Sequence, residues 1–235
     1  VHLHRGEILL RGYENGERVQ HSIPYRPYLF VTSRIKNTEF KTLKGVPVDK
    51  IEFGSVYEAR DYIKRYKDVD GMDIYGLTNF IYTFIHDHYP GVIDYDPKQV
   101  SVVSLDIETD ASGGFPDIQV ADKQVTAITI SKKGKMVVFG YYDFVIPEGE
   151  EENITYLKCK DEADLLDKFI KVWRSKQFIP DVLTGWNVEF FDMPYLINRI
   201  TRILGGEAAK RMSPWGILNS REVEIAGRTY NIPEE

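Results

Sequence analysis

The hydrophobic pattern changes character near residue 97. In the first part of the chain, Ile8-Leu9-Leu10 and Val19 to Ile23 flank Glu14-Asn15-Gly16-Glu17. Asn-Gly between two apolar stretches predicts a hairpin, because both central residues must take positive φ. Tyr28 to Thr32 reads as a third strand, confined by Pro24 and Pro27 to start after the bend. Val56, Ala59, Tyr62, Ile63 and Tyr66 then follow helical spacing between Ser55 and Lys67, and Ser55-x-x-Glu58 supplies a capping box. A second helix is predicted over Leu77 to His86, ended before Pro90. Tyr95-Asp96-Pro97-Lys98 is a turn signal and sets the predicted boundary between residues 1–97 and 98–235.

Beyond it, Val102 to Ile107, Val125 to Ile130 and Met136 to Phe139 are three apolar runs spaced as a meander. Glu162 to Ser175 predicts an amphipathic helix with Leu165, Leu166, Phe169, Ile170, Val172 and Trp173 inside and Asp161 as N-cap. Val182-Leu183-Thr184 reads as a short buried strand. Pro194 to Leu204 reads as a helix opened by its proline and closed by Gly205-Gly206. The expected fold class is therefore α/β (α+β), a mixed sheet with helices preceded by a β-rich amino-terminal domain.

The 235 residues are 43% hydrophobic and 28% charged, an ordinary globular composition. Apolar runs such as Ile8 to Leu10 fall far short of the ~20 residues that span a bilayer, so no membrane helix is expected. Cys159 is the single cysteine, which excludes an internal disulfide and a zinc finger and predicts a reducing compartment. Val1 to Leu10 carries His2, His4, Arg5 and Glu7 where a signal peptide needs an apolar core. The missing initiator Met and the ending at Pro233-Glu234-Glu235 suggest a piece of a longer chain. The net charge of −6 argues against a broad basic nucleic-acid surface, and the whole excess of acid lies after residue 100. Carboxylates collected around divalent cations would give this bias, although a solvated acidic surface is the plainer account of charge alone.

In Ser101 to Asp110 the strand period of two places Val103, Leu105 and Ile107 on one face and Asp106 with Glu108 on the other. Two carboxylates so placed repel unless solvated or neutralised, and as hard oxygen donors they suit Mg²⁺ or Mn²⁺. From this segment alone, a half-exposed strand with an acidic outer face is the better reading. The second segment runs Thr184-Gly185-Trp186-Asn187-Val188-Glu189-Phe190-Phe191-Asp192-Met193-Pro194-Tyr195. Taken alone, Asp192 is an N-cap for the Pro-led helix and Asn187 a turn residue.

Together the two segments resemble the first two proofreading-exonuclease motifs of family B DNA polymerases. The likeness extends to Glu17-Arg18 through Phe30, the helix Ala59 to Tyr66, Gly71-Met72-Asp73 and Ala209 to Pro214, which are similar to the amino-terminal and exonuclease regions of T-even-like bacteriophage polymerases. The resemblance implies a ribonuclease H-like sheet carrying a 3′–5′ exonuclease with two metals, Mg²⁺ or Mn²⁺, ~3.5 to 4 Å apart. By similarity Asp106 would bridge both ions, Glu108 would hold the water-activating one, and Asp192 would hold or orient the second. Asn187 and Phe191 would line a single-strand channel, and Phe115 in Gly113-Gly114-Phe115-Pro116 would stack on the frayed primer end, unless it anchors its loop in the core. The implied partners are a single-stranded 3′ end and primer-template DNA, in the cytoplasm, which for a phage protein is the host's.

One departure is large. The family's third motif, Tyr-x-x-x-Asp, is missing, since Asp192 is the last aspartate of the chain, and the polymerising domains are missing too. The expectation is the front part of a polymerase, a partner for its missing carboxy-terminal part, with negligible hydrolysis alone. A free-standing DNA or RNA exonuclease and a non-catalytic nucleic-acid-binding scaffold are the other readings. His2-x-His4 and His86-x-His88 each lack a third ligand nearby, Lys132-Lys133-Gly134-Lys135 reads as a hairpin turn, and Cys159 as an inert thiol.

Overall fold

The computed structural model describes residues 1–93, 95–110, 112–225 and 228–234. Its first strands, β1 (His2–His4), β2 (Glu7–Glu14) and β3 (Glu17–Pro24), form an antiparallel sheet. Asn15 and Gly16 turn the chain with φ of 52° and 78°, as the Asn-Gly signal requires, so Glu14 lies opposite Glu17. A second antiparallel sheet holds β4 (Tyr28–Thr32), β5 (Phe40–Lys41), β6 (Pro47–Glu52) and β7 (Ile74–Tyr75) in the order β5-β6-β4-β7.

Helix α1 (Val56–Tyr66) begins where Ser55 Oγ accepts the Glu58 N–H at 3.2 Å, while the Glu58 carboxylate reaches back to the Gly54 N–H at 2.7 Å. Helix α2 (Phe80–His88) starts three residues later than its pattern suggested. Asn79 Oδ1 accepts the Ile81 N–H and fixes the start there, leaving Leu77 outside the helix and exposed. Ile8, Leu29, Val56, Ala59, Phe80 and Phe84 form the core of this unit, which spans Val1–Gln99.

The second unit, Val100–Glu235, is built on a mixed sheet of β8 (Val102–Thr109), β9 (Val125–Lys132), β10 (Lys135–Gly140), β11 (Ile154–Lys158) and β12 (Val182–Thr184), in the order β11-β10-β9-β8-β12. The β8-β9-β10 meander is antiparallel, whereas β11 and β12 run parallel to their neighbours. Lys133 and Gly134 form the β9-β10 turn with positive φ. Helix α3 (Glu162–Trp173) is capped by Asp161, whose carboxylate accepts the Asp164 N–H at 2.9 Å, and it buries Leu165, Leu166, Phe169, Ile170 and Trp173. Helices α4 (Asp192–Leu204) and α5 (Gly206–Lys210) follow, then a hairpin of β13 (Asn219–Ile225) and β14 (Arg228–Glu234).

Two expectations need correction. β12 is not buried: Val182 is 46% exposed, because the strand is the sheet's edge and has only β8 beside it. An apolar triplet does not distinguish an edge from an interior strand. α4 starts at Asp192, so this residue is the first of the helix and Phe191 holds the N-cap position. Pro194 still fits, because the first-turn N–H groups of a helix have no acceptor within it. Among the described residues no helix is long and apolar enough to cross a membrane.

Candidate metal and nucleic-acid site

Along β8, Val103, Leu105 and Ile107 are buried in the core, and Asp106 and Glu108 lie on the opposite, solvent-facing side. The first turn of α4 reaches this strand through Asp192. Its Oδ1 accepts the Ile107 N–H at 3.1 Å, although that residue lies 85 positions away in the chain. Asp192 is 3% exposed. Burial pushes its carboxyl pKa up, the Ile107 N–H opposes this, and the nearby Asp106 and Glu108 charges raise it further. The structure thus brings Asp192 within electrostatic reach of both strand carboxylates.

Gly185 makes this approach possible. A Cβ at that position would collide with the Leu105 carbonyl oxygen and press on Val188, so only glycine lets the chain leave β12 this close to β8. Asn187 follows at φ 56°, and its carbonyl accepts the N–H groups of Phe190 and Phe191. Asn187 is therefore a turn residue in the left-handed region, which asparagine tolerates well. The turn delivers Phe191 to the N-cap of α4. Its ring lies 5.2 Å from that of Phe115 and 5.6 Å from that of Tyr195. Phe115 itself is 84% exposed, which rules out a core-anchoring role, and Trp186 is 92% exposed.

Asp106, Glu108 and Asp192 offer hard oxygen chemistry, and the buried carboxylate of Asp192 feels the charge of the other two. Asp192 is turned inward onto Ile107 while Asp106 and Glu108 face solvent, and among the described residues no three His, Cys, Asp or Glu side chains are grouped to hold a metal ion. Neither histidine pair forms such a group. Burial raises the Cys159 thiol pKa, consistent with an inert role.

A pH prediction follows from Asp192. With its pKa raised by folding, the unfolded chain loses the proton first as pH rises. Stability in a chelator therefore falls from the unfolded carboxyl's range, ~3.9, up to the folded value, and stays lowered above it. Asp192→Asn keeps an oxygen for Ile107 without the charge. At neutral pH in EDTA it is expected to melt above the unaltered chain, with the gap closing in acid; equal melting temperatures at neutral pH would count against the buried charge.

Glu162 and Arg199 form a buried pair that the local sequence pattern does not mark. Arg199 donates to both carboxylate oxygens of Glu162 at 2.7 and 2.6 Å, in a pair buried between α3 and α4, and Glu162 also accepts the Val125 N–H. Glu162 looked like an ordinary first-turn acid. The available signal was Arg199 itself, one turn beyond Tyr195 on an apolar helical face.

The sequence profile described as DNA polymerase family B, exonuclease domain, matches residues 46–233. The chain is 30% identical over 235 residues to the DNA-directed DNA polymerase of Enterobacteria phage T4, covering 90% of this chain and 26% of that protein. It is also 30% identical over 236 residues to the DNA-directed DNA polymerase of Escherichia phage RB69, covering 89% and 26%. The Drosophila melanogaster DNA polymerase delta catalytic subunit is 31% identical over 133 residues, or 56% of this chain and 11% of that protein. The chain spans about a quarter of the length of its phage relatives.

Proposed function

The chain belongs to the family B DNA polymerase exonuclease domains, and from this premise we propose that it is the amino-terminal part of a replicative DNA polymerase carrying most of a 3′–5′ proofreading site. The observation that carries this reading is the buried Asp192 set against the Asp106-x-Glu108 strand. The sheet supports a ribonuclease H-like assignment, since an antiparallel three-strand meander has a parallel strand beside its first member. Residues 1–97 would be the amino-terminal domain and 98–235 the partial exonuclease domain.

In this reading Asp106, Glu108 and Asp192 would hold Mg²⁺ or Mn²⁺, which when bound would supply charge stabilisation and an acidified water. Asn187, Phe191 and Phe115 line the path of a single-stranded 3′ end. The exposed Phe115 ring offers a stacking face, and Phe191 backs it. Phe115→Ala is expected to weaken binding of a single-stranded oligonucleotide by about 1–3 kcal/mol, roughly 5- to 150-fold, measured by fluorescence anisotropy. Unchanged affinity would remove Phe115 from the channel.

The site itself is tested by titrating Mn²⁺ into the chain and following the free ion by electron paramagnetic resonance. Weak binding is expected, falling at least about tenfold in Asp106→Ala. Hydrolysis of single-stranded DNA by these 235 residues should be negligible, because among the described residues no three carboxylates are grouped to hold a metal ion and a small misplacement of reacting groups costs ~100-fold. Binding indifferent to Asp106→Ala would refute the metal site. The absence of a three-ligand group among the described residues favours, as a second reading, a DNA-binding scaffold with vestigial carboxylates. That reading predicts oligonucleotide binding without any Mn²⁺ dependence.

A further inference from the structure

The segment that carries Phe115 is fastened to α4 by a row of side chains from that helix. Tyr195 Oη donates to the Lys123 carbonyl at 2.7 Å, and Asn198 Nδ2 to that of Ile118 at 2.8 Å. Arg199 Nη1 donates to the carbonyls of Ala121 and Asp122 at 2.9 and 3.1 Å, and Arg202 to that of Val120 at 3.0 Å. Positions 195, 198, 199 and 202 share one helical face. Five carbonyls between residues 118 and 123 thus end on one helix.

Arg199 is the fixed member of this row. It is 5% exposed, and its other two nitrogens are spent on Glu162, which is itself tied to the first residue of β9. The guanidinium therefore cannot turn away from the loop without breaking a buried pair. It also holds a strained conformation in place, since the buried Ala121 has φ of 45°, where a residue with a Cβ is disfavoured. At the other end of the loop, Phe115 meets Phe191, which immediately precedes Asp192. The loop is thus held at two places, by α4 itself and by the residue just before it, and the same helix carries the Asp192 carboxylate.

We propose that Arg199, locked by Glu162, is a positioning residue that sets where the Phe115 ring stands relative to Asp192, and so fixes which nucleotide of a single strand is presented to the carboxylates. This rests on the DNA-channel reading above. An arginine that merely stabilised the fold would lower every property of the chain together. A positioning arginine acts through Phe115.

The test is a double-mutant cycle between Arg199→Lys and Phe115→Ala in the 235-residue chain. Arg199→Lys keeps the charge beside Glu162 but loses the planar fork. The probe is a single-stranded oligonucleotide with 2-aminopurine at its 3′ end, in Ca²⁺, and circular dichroism checks folding. Glu162→Gln serves as a second variant if Arg199→Lys fails to fold. Arg199→Lys is expected to weaken binding about tenfold, with almost no further loss when added to Phe115→Ala, and with Mn²⁺ affinity unchanged. Additive losses, or a parallel fall in Mn²⁺ affinity, would make Arg199 structural only and overturn the proposal. Failure of the unaltered chain to bind the oligonucleotide would instead overturn the channel reading and the positioning role with it.

Discussion

Arg199→Met is expected to destabilise the chain by about 3–5 kcal/mol, as is usual when one member of a buried pair is removed. Glu162 would keep its charge and only the Val125 N–H, the buried Ala121 carbonyl would lose its Arg199 donor, and the more exposed Asp122 carbonyl would turn to water. Replacing both Glu162 and Arg199 with Met should recover part of the loss, because no isolated charge then remains. Recovery should stay incomplete, since each buried polar group left unpaired costs ~1–3 kcal/mol. Urea unfolding of the two variants measures this directly. A single-variant loss under about 1 kcal/mol would show that the pair is hydrated or replaceable.

Gly185→Ala is expected to have the second largest effect, and its character differs. The added Cβ would meet the backbone oxygen of Leu105, and neither side of this contact is a flexible side chain. β12 must then move off β8, at an overpacking cost of about 1–3 kcal/mol or more. Only six residues separate Gly185 from Asp192, so the shift should loosen the bond from the Ile107 N–H to the Asp192 carboxylate. The expected signature is faster hydrogen exchange at the Ile107 amide, together with at least a tenfold loss of Mn²⁺ affinity. An Ile107 amide as protected as in the unaltered chain would dismiss the link from glycine to carboxylate.

Much of the architecture was legible because local chemistry and tertiary packing agree. The Asn15-Gly16 hairpin, the Ser55 and Asp161 caps and the alternation along β8 are each decided within a few residues. β1, β5, β6, β7, β11, α5 and the β13-β14 hairpin carry no such local signal. β1, β5 and β7 are only two or three residues long, β11 carries no alternation of buried and exposed positions, and they are strands through their partners. The helical rather than capping place of Asp192 was hidden for a related reason: its acceptor role is filled by an N–H from β8, far away in sequence. Spacing and resemblance single out Asp106, Glu108 and Asp192 in the sequence, whereas Glu162 and Arg199 do not stand out, because pairing between distant charges leaves no local mark.

The sharing of α4 between carboxylate and loop constrains how such a chain can change length. Each residue added to a helix turns everything beyond it by about 100°. A single insertion between Asp192 and Tyr195 would swing the whole fastening row away from residues 118–123 while leaving the carboxylate at the helix start. No substitution elsewhere could restore the phase except a compensating deletion in the same turn. The excursion between β10 and β11, residues 141–153, carries no comparable angular relationship, and its sides are exposed from Asp143 to Val145 and from Pro147 to Glu152. Insertions and deletions accumulated among relatives are therefore expected to concentrate in that excursion and to be absent from the first two turns of α4, a pattern that a length comparison of homologous sequences can check.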